Sequence, residues 1–519
     1  MPVSDLPGEG EALALSRTIG RLPDPIALYE RLAGGPDTLL LESLDARTKE
    51  AERTFLIPRA ALRAECRGRV VSVAALTPVG RQALPTLARW LAERAEVSRQ
   101  DDVLSATYPP PPTHVSEEER LAAPSPFDAL RALATRWTLR GPTAVPTLLV
   151  AGVFAYDMLG VIETLPDEQH DPLKFPDFQF WLPEQLVILD HKKRSTTVVG
   201  LALGGEDPQT SYGHAMTAVG ELAAAVEESA AALEPPPAAP EVSSTTDLTD
   251  ETFAGVVADL KERIVAGDVF QIVPSRTFSA PCAEPLAAYR RLRVLNPSPY
   301  MFFVRARQHT LFGASPETCV KVTGSTVEIR PIAGTARRGR TAEGELDLDL
   351  DGRLEAELRL SEKEVAEHMM LIDLARNDVA RVSKPGSRYV PHLLTVDRYS
   401  HVMHLVSYVE GELKPGLDAL HAYAASMNMG TLVGAPKLEA ARILRERETT
   451  RRGPYGGAVG YLTCAGDLDT AIVIRSALVK EGTAYVRAGA GVVADSDPAS
   501  EAEETRRKAQ AVLKALGAS

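Results

Sequence analysis

The chain has 519 residues, of which 45% are hydrophobic and 24% charged, and this composition is typical of a globular protein with a large core. Its formal net charge of −13 disfavours general nucleic-acid binding, which requires a basic surface. No apolar run reaches the roughly 18 residues of a membrane span, and the N-terminus lacks the basic start and apolar core of a signal peptide. We therefore expect a cytoplasmic protein of two or three domains with no nucleic-acid or membrane partner.

The N-terminal half mixes predicted strands with helices. Apolar and β-branched runs predict strands at 38–41, 185–190 and 196–203, and an Ala- and Glu-rich stretch predicts a helix over 211–231. A Pro- and Ser-rich segment follows and predicts a linker over 233–247. We interpret 1–232 as an N-terminal part and 248–519 as a C-terminal part.

The C-terminal half begins with a predicted helix over 250–266. Predicted strands follow at 300–304, 310–313, 319–322, 326–329, 457–464, 470–479 and 485–488, with further helices from 361 and over 501–516. Strands and helices come in runs rather than in strict alternation. This order favours an α+β fold with large antiparallel sheets.

Four cysteines are scattered along the chain, at Cys66, Cys282, Cys319 and Cys464. None forms a C-x-x-C pair, so the sequence indicates neither a zinc site nor a disulfide framework. None lies in the Gly-x-Cys-x-Gly setting of a glutaminase nucleophile.

Four glutamates form two pairs with the same spacing: Glu364 with Glu367, and Glu501 with Glu504. Residues three apart are neighbours on a helix surface, so two facing pairs would present carboxylate oxygens to Mg²⁺. Mg²⁺ usually binds one or two carboxylates together with waters and an anionic substrate. The pattern is therefore compatible with an enzyme that holds a substrate carboxylate on a metal.

Helix capping is the alternative explanation of the same acids. Segments 361–364 and 500–503 both fit a capping box, and acids in a first turn also suit the helix dipole. Against this alternative, Glu364 and His368 fall within an apolar stripe of their helix, and Glu367 lies at its edge. A carboxylate on a buried face requires a partner, which is either a basic side chain or a metal.

A glycine-rich segment, 489–494, matches G-x-G-x-x-A after a predicted strand. A dinucleotide fold is disfavoured because 495–498 prevent a helix from opening on the glycines, and the chain ends before the expected ribose-binding acid. Backbone N–H groups that approach an anion and a plain tight turn both remain open interpretations.

Single residues offer further alternatives. Arg475, in a mostly apolar strand, is either a structural ion pair or a clamp for a carboxylate. Tyr455, on a Gly-rich turn, either donates its hydroxyl or packs. His404 is either structural or catalytic, and Lys437 follows a Gly- and Pro-containing loop.

Several segments together resemble the signatures of the chorismate-utilising enzymes. These segments are 313–317, 332–335, 371–378, 427–437, 455–461, 469–475 and 488–495, and the resemblance reaches the N-terminal half through 39–43, 154–157 and 176–180. Within that family the chain is most similar to the large subunits of anthranilate synthases. The resemblance implies a sandwich of large antiparallel sheets with helices packed outside, and a chorismate-binding catalytic part in 248–519.

The resemblance also implies the roles of site residues. Glu367 and Glu504 would bind Mg²⁺ directly, and Glu364 and Glu501 would complete the acidic shell. The substrate-binding residues would be Gly334, Thr335, Tyr455, Arg475, Gly489, Ala490 and Gly491. The catalytic residues would be Glu317, His404 and Thr431: Glu317 protonates the departing 4-hydroxyl, His404 assists the later loss of pyruvate, and Thr431 contacts the substrate.

Two positions distinguish branches of the family. Relatives that add water carry a Lys base where Gln271 stands, and an amide cannot take that proton. Many enzymes of the p-aminobenzoate branch carry a nucleophilic Lys where Ala333 stands. Ammonia attack at C2, which gives anthranilate and pyruvate, is therefore expected. Aminodeoxychorismate synthesis is the principal alternative, and a catalytically inactive subunit that binds chorismate or tryptophan is a further one.

The resemblance extends to partners and regulation. Ammonia would come from a glutamine amidotransferase subunit, in an assembly of two large and two small subunits, and free ammonia would replace it at high pH. Ser43, Pro299, Tyr300 and Met301 match a site for inhibitory tryptophan in the family. Arg53 stands where some relatives have Lys, and Ala471 replaces a Cys.

Overall fold

The computed structural model describes residues 6–44, 51–112, 114–142, 145–166, 169–341, 343–399 and 402–518. The helices are α1 (Pro25–Leu32), α2 (Pro78–Ala92), α3 (Glu117–Ala122), α4 (Phe127–Ala134), α5 (Leu159–Ile162), α6 (Pro208–Glu228), α7 (Asp250–Val265), α8 (Pro285–Leu295), α9 (Leu348–Leu360), α10 (Glu362–Val382), α11 (Ala419–Ser426), α12 (Gly430–Val433), α13 (Lys437–Arg447) and α14 (Pro498–Leu516), with a 3-10 turn at Tyr156–Met158.

The strands of the first half are β1 (Glu11–Ile19), β2 (Thr38–Leu44), β3 (Ala51–Arg67), β4 (Val70–Ala75), β5 (Glu96–Gln100), β6 (Val103–Thr107), β7 (Thr138–Arg140), β8 (Leu149–Phe154), β9 (Phe178–Asp190) and β10 (Ser195–Leu203). Those of the second half are β11 (Thr245–Thr246), β12 (Gln271–Ile272), β13 (Ser275–Pro281), β14 (Tyr300–Arg305), β15 (Thr310–Ser315), β16 (Thr318–Thr323), β17 (Thr326–Ile329), β18 (Ile332–Arg337), β19 (Tyr389–Arg398), β20 (Val402–Glu412), β21 (Gly434–Ala435), β22 (Ala458–Thr463), β23 (Leu468–Ile472), β24 (Ser476–Lys480) and β25 (Thr483–Gly489).

Two continuous layers of strands build the fold. The first runs in the order β11-β13-β25-β24-β15-β14-β2-β3-β9-β10-β1-β7, antiparallel except for the parallel pair β1–β7. The second runs β8-β22-β23-β16-β17-β20-β19, and β18 also pairs with β20. The predicted α+β sandwich is confirmed.

The long strands β3 and β9 belong to both layers. The start of β3 pairs with β2, whereas its end pairs with β4, and the pairing of β3 with β9 shifts register between Leu56 and Leu62. Bulges of this kind bend a strand and increase its twist. The register shifts therefore mark where the sheet turns from one layer to the other.

Alternation along the strands separates two cores. In β2, Leu39 and Leu41 join the core that also contains Val459 of the second layer, whereas Leu40 joins a second core with Tyr29 of α1. Successive side chains of a strand point to opposite faces, so one face of β2 packs against the other sheet. The other face packs against α1, α6, α8 and α14, which supply apolar side chains to the second core.

One predicted strand is wrong. The segment 470–479 forms two strands, β23 in the second layer and β24 in the first. Arg475 has φ 50°, outside the strand region, and breaks the pairing. No Gly or Pro marks the break, and the apolar run Ile472–Val473–Ile474 crosses it without interruption.

Strands of the two halves pair with one another, as in β2 with β14 and β8 with β22. The segment 233–247 contains β11 and no helix, and the division into 1–232 and 248–519 remains an interpretation. Among the described residues, every helix is too short or too polar to span a bilayer.

Candidate active site

The candidate site lies where the chain crosses between the two layers. Glu317 occupies the crossing from β15 to β16, and Arg475 occupies the crossing back from β23 to β24. The Glu317 carbonyl accepts a hydrogen bond from the Ile472 N–H at 3.0 Å, and the Arg475 carbonyl accepts one from Ala314 at 3.1 Å. These backbone bonds join the two crossings, so two residues 158 positions apart in sequence (475 − 317) face one cavity.

That cavity has a volume of about 200 Å³ and brings together seven of the ten residues predicted for catalysis and substrate binding, whereas the four glutamates predicted for the metal are outside its lining. The predicted residues in its lining are Glu317, Thr335, His404, Thr431, Tyr455, Arg475 and Gly489. Ala333, which distinguishes two branches of the family, also lines it. A cavity lined by apolar side chains and a few convergent polar groups is the usual form of a small-molecule site.

Glu317 is 8% exposed, and burial raises the pKa of its carboxyl to about 7. Thr431 Oγ1 donates to Glu317 Oε1 at 3.1 Å, and the charges of Lys508 and Arg475 also favour ionisation without offsetting the burial. This acid therefore keeps its proton to a much higher pH than an exposed glutamate does. A carboxyl with this pKa is suited to general acid catalysis.

Arg475 directs an unpartnered guanidinium at the same cavity. Burial lowers the pKa of Arg475, whereas the nearby Tyr455, Glu504 and Glu317 act in the opposite direction. Within the part of the chain that the structure describes, this side chain forms no hydrogen bond or ion pair. A half-buried cation without a protein partner leaves its donors available for an anion, and guanidinium binds carboxylates bidentately.

Tyr455 and Gly489 meet on the wall beside Arg475. Burial raises the pKa of Tyr455, and a hydrogen bond from the Gly489 backbone opposes this change. The Ala490 N–H donates to the Pro274 carbonyl at 3.2 Å, and Gly491 lies against Gln271 Nε2. Of the three predicted glycine-rich residues, Gly489 alone is in the cavity lining.

His404 and the β18 backbone form the opposite wall. His404 Nδ1 lies 3.0 Å from Thr335 Oγ1 and 3.3 Å from the Gly334 carbonyl. Gly334 has φ 70°, and an added Cβ would come within 3.1 Å of Glu364 Oε2. The positive φ is the conformation that favours a glycine there.

The four glutamates are close enough to influence one another. Burial raises the pKa of Glu367, and the neighbouring Glu364, Glu501 and Glu504 raise it further. Lys508 Nζ lies 2.6 Å from Glu504, and Lys363 Nζ lies 4.0 Å from Glu367. The two predicted pairs therefore lie near one another.

The donor set fits a divalent cation. Burial raises the pKa of Glu501, and a hydrogen bond with Ser496 opposes this change. Among the described residues, no group forms a hydrogen bond with its buried Oε2. No three Asp, Glu, His or Cys side chains in the described ranges converge closely enough to bind one metal ion together. Mg²⁺ requires only one or two carboxylates beside waters and substrate, so this donor set is compatible with Mg²⁺.

Capping explains these acids only in part. Ser361 caps α10 by accepting the Glu364 N–H. Ser500 does not cap α14, because Asp497 is the N-cap and accepts the Ser500 N–H. His368, which the apolar stripe placed on the buried face, is 0% exposed and bonds to Ser407.

Lys508 and Arg487 line the cavity although the sequence analysis did not identify them. Lys508 also donates to the Gly489 carbonyl at 3.0 Å, so it connects the glutamates to the glycine-rich wall. The sequence could have indicated Lys508, because it follows Glu504 by four residues and residues with this spacing lie on the same face of a helix.

A buried ion network supports Arg487. Glu448 accepts from Arg487 Nη2 at 3.0 Å and from Arg452 at 2.7 and 2.8 Å. Arg452, which is 2% exposed, also donates to the carbonyl of Leu432, next to Thr431. The network therefore links the Thr431 segment to β25.

The segments predicted to bind an inhibitor meet in a different place. Tyr300 is the register partner of Ser43, and both line a pocket of about 30 Å³ together with Met301. A larger cavity of about 370 Å³ shares Ser43, Tyr461 and Asp469 with this pocket. Pro299 is buried directly before Tyr300 and is not in either lining.

Comparisons with known proteins identify the family of the chain. Residues 93–514 match the family described as chorismate binding enzyme. Anthranilate synthase component 1 of Vibrio cholerae is 48% identical over 95% of this chain and 94% of its own length, and that of Escherichia coli is 47% identical over the same shares. The crystal structure of anthranilate synthase component I from Streptococcus pneumoniae superposes with a TM-score of 0.69 at 29% identity, over 89% of this chain and 92% of that one. The chain therefore belongs to the chorismate-binding enzyme family, among the anthranilate synthase component 1 proteins.

Proposed function

We propose that this chain converts chorismate and ammonia to anthranilate and pyruvate, a step of tryptophan biosynthesis. The observation that carries the proposal is that one cavity contains both a buried acid with a pKa of about 7 and a guanidinium that has no partner among the described residues. Chorismate carries two carboxylates and a hydroxyl that leaves only after protonation. Arg475 supplies a charge for one carboxylate, and Glu317 supplies the proton.

The residues act in two stages. Arg475 and Tyr455 hold the enolpyruvyl carboxylate while ammonia attacks C2, and Glu317 protonates the 4-hydroxyl, which departs as water. The product is an aminodeoxyisochorismate. His404 then assists the elimination that releases pyruvate and leaves the aromatic ring of anthranilate. Both stages are supported by the position of these side chains around one cavity.

The nucleophile follows from two positions. Ala333 lines the cavity and has no amine to form a covalent adduct. Gln271, which replaces a basic Lys of relatives that add water, cannot take a proton from water. Both residues favour direct addition of ammonia.

Mg²⁺ is the proposed cofactor, held by Glu367 and Glu504 with Glu364 and Glu501 around them. When bound, Mg²⁺ would neutralise the ring carboxylate and accept charge as the double bonds shift. The support is the mutual proximity of the four acids and the unpartnered Glu501 Oε2. Lys508 would keep Glu504 oriented towards the site from its 2.6 Å contact.

A partner subunit is proposed to supply the ammonia. The curated relatives are named component 1, a name that implies a second component. We propose that the second component is a glutamine amidotransferase and that two copies of each chain assemble, in the cytoplasm. Mass photometry of the reconstituted complex tests the stoichiometry, and glutamine-dependent turnover tests the activity of the partner.

Tryptophan is the proposed feedback inhibitor, bound where Ser43, Tyr300 and Met301 line one pocket beside buried Pro299. The larger adjoining cavity, with Asp469 and Arg53 in its lining, offers charges for an amino acid's ammonium and carboxylate groups. Calorimetric titration of the chain with tryptophan tests this site without any need for turnover.

Product analysis tests the proposed reaction. The chain is incubated with chorismate, Mg²⁺ and ammonium at about pH 8.5, which raises the share of free ammonia. Anthranilate fluorescence that EDTA abolishes is expected for the wild type and for Glu503→Gln, an exposed control, and not for Glu317→Gln. A 4-amino product, isochorismate or salicylate would contradict the proposal.

A further inference from the structure

Tyr300 connects the pocket proposed for tryptophan to the residue next to the acid. Its hydroxyl donates to Asp469 Oδ1 at 3.1 Å and lies 3.2 Å from Oγ1 of Thr318, which directly follows Glu317. A carboxylate only accepts hydrogen bonds. The single phenolic proton of Tyr300 therefore points to Asp469, and Thr318 donates to the Tyr300 oxygen.

The backbone connects Tyr300 to the other side of Glu317. Tyr300 is the register partner of Ser315, and Ser315 Oγ accepts from the Glu317 N–H at 3.3 Å. Contacts of Tyr300 thus reach the residue after Glu317 and the residue two before it. These contacts give a displacement of Tyr300 two routes to the acid.

Asp469 extends the connection to the second crossing. It lies in β23, whose last residue, Ile472, donates to the Glu317 carbonyl. Ala471 of the same strand is the register partner of Thr318 and lines the pocket. Arg475 follows three residues after this strand ends, so both crossings of the active site adjoin residues that contact Tyr300.

The size of the pocket requires a rearrangement on binding. Its volume of about 30 Å³ has room for about two waters, far less than an indole ring needs. The adjoining cavity of about 370 Å³ shares the lining residues Ser43, Tyr461 and Asp469 with it. An aromatic amino acid that enters from the larger cavity must therefore displace a side chain of the pocket.

We propose that the hydrogen bonds of Tyr300 with Thr318 and Asp469 are the coupling between the inhibitor pocket and the active site. An aromatic amino acid that displaces the Tyr300 ring breaks these bonds and moves the Glu317 crossing out of its position for chorismate. A ligand shifts such an equilibrium only by its different affinities for the two arrangements. This proposal rests on the proposed tryptophan site and adds the residues through which bound tryptophan affects the active site.

The test separates binding of tryptophan from its effect. The Kd of tryptophan is measured by calorimetry on the full chain, and the coupling is measured as the factor by which saturating tryptophan raises the KM for chorismate with ammonium. Coupling factors are typically about 5- to 150-fold. Thr318→Val retains the shape of the side chain and removes its hydroxyl. We expect this variant to bind tryptophan at least as tightly as the wild type, because binding has one bond fewer to break, and its coupling factor to fall at least about fivefold.

Two further variants make the result decisive. Thr310→Val, the same change at the far end of β15, is expected to retain the wild-type factor. Tyr300→Phe removes the bond to Thr318 from the tyrosine side, and we expect it to lower the coupling factor as Thr318→Val does. It provides the test if Thr318→Val fails to fold. Binding and inhibition with an unchanged factor in both variants would overturn the coupling alone. No binding of tryptophan to the wild type would overturn the inhibitor site and the coupling with it.

Discussion

Thr431 Oγ1 donates a hydrogen bond to Glu317 Oε1 at 3.1 Å, and this contact lowers a pKa that burial has raised to about 7. Thr431→Val removes the donor that stabilises the ionised carboxylate. We expect the pKa of Glu317 to rise by about one unit, since a hydrogen bond to a charged group contributes about 1.5 kcal/mol or more. The alkaline limb of kcat/KM, corrected for free ammonia, moves up by the same amount.

Thr431→Ser is the matched control, because it retains the hydroxyl. Its alkaline limb is expected to stay with the wild type even where the lost methyl group changes the rate. An unshifted limb in Thr431→Val would mean that Glu317 is not the acid that the profile reports.

Glu317→Gln should have opposite effects on activity and stability. Loss of a general acid lowers kcat by about 10²- to 10⁴-fold. Burial raises the pKa of the folded-state carboxyl from 4.5 to about 7, so the folded chain binds the proton more tightly than the unfolded chain. The contribution of this group to stability therefore falls as pH rises through that window and stays low above it.

The amide cannot ionise, so Glu317→Gln lacks that loss. We expect its free energy of unfolding to exceed that of the wild type at about pH 8, by up to roughly 3 kcal/mol, and to match it near pH 4.5. Urea denaturation at both pH values measures the difference. An equal effect at the two pH values would show that packing, and not ionisation, is responsible.

Arg475→Met removes the unpartnered guanidinium from the cavity. Without this partner for the substrate carboxylate, the loss of binding energy is about 2 kcal/mol or more, and kcat/KM should fall roughly 30-fold or more. Because the free protein contains no partner for Arg475 among the described residues, its removal should raise the melting temperature. Steady-state kinetics and thermal unfolding test both directions, and Arg475→Lys, which retains the charge without the fork, should recover only part of the activity.

The sequence predicted the residues of this site more completely than their arrangement. The strands of β2, β10, β14 and β15 follow from apolar runs, and the family segments identify Glu317, His404 and Thr431. The division of 470–479 into β23 and β24 does not follow from periodicity, because Ile472, Val473 and Ile474 are all apolar. That division is what brings Arg475 to Glu317, and it depends on pairings with β15 and β16 that no local pattern encodes.

The sequence likewise did not predict the ion pairs between residues that are distant in sequence. Glu448 and Arg452 are spaced as neighbours on a helix, yet α13 ends at Arg447 and their bond lies beyond it. Their third member, Arg487, comes from β25. Charge alone indicates a solvated surface, whereas the three side chains are at most 9% exposed.

Glu367→Gln tests the metal site through stability rather than turnover. Without metal, the variant should unfold at a higher temperature, because Glu364, Glu501 and Glu504 repel the carboxylate that it loses. Added Mg²⁺ should raise the melting temperature of the wild type. At a hundredfold excess of Mg²⁺ over its Kd, the free energy of unfolding should increase by about 2.7 kcal/mol. The rise should be smaller in Glu367→Gln and unchanged in Glu362→Gln, an exposed acid of the same helix. Equal rises in all three proteins would contradict binding at Glu367.

Glu448→Gln tests the network behind the cavity wall. The Glu448 carboxylate accepts from Arg452, Arg487 and Ser275, and the amide would leave two buried guanidinium groups without a counter-charge. Removing one partner of a buried ion pair costs about 3–5 kcal/mol, so urea denaturation should show a loss of that size. Glu446→Gln, an exposed acid of α13, should stay within about 0.5 kcal/mol of the wild type. If Glu448→Gln also lost no more than about 0.5 kcal/mol, Arg452 and Arg487 would have other partners and would not depend on the Glu448 carboxylate.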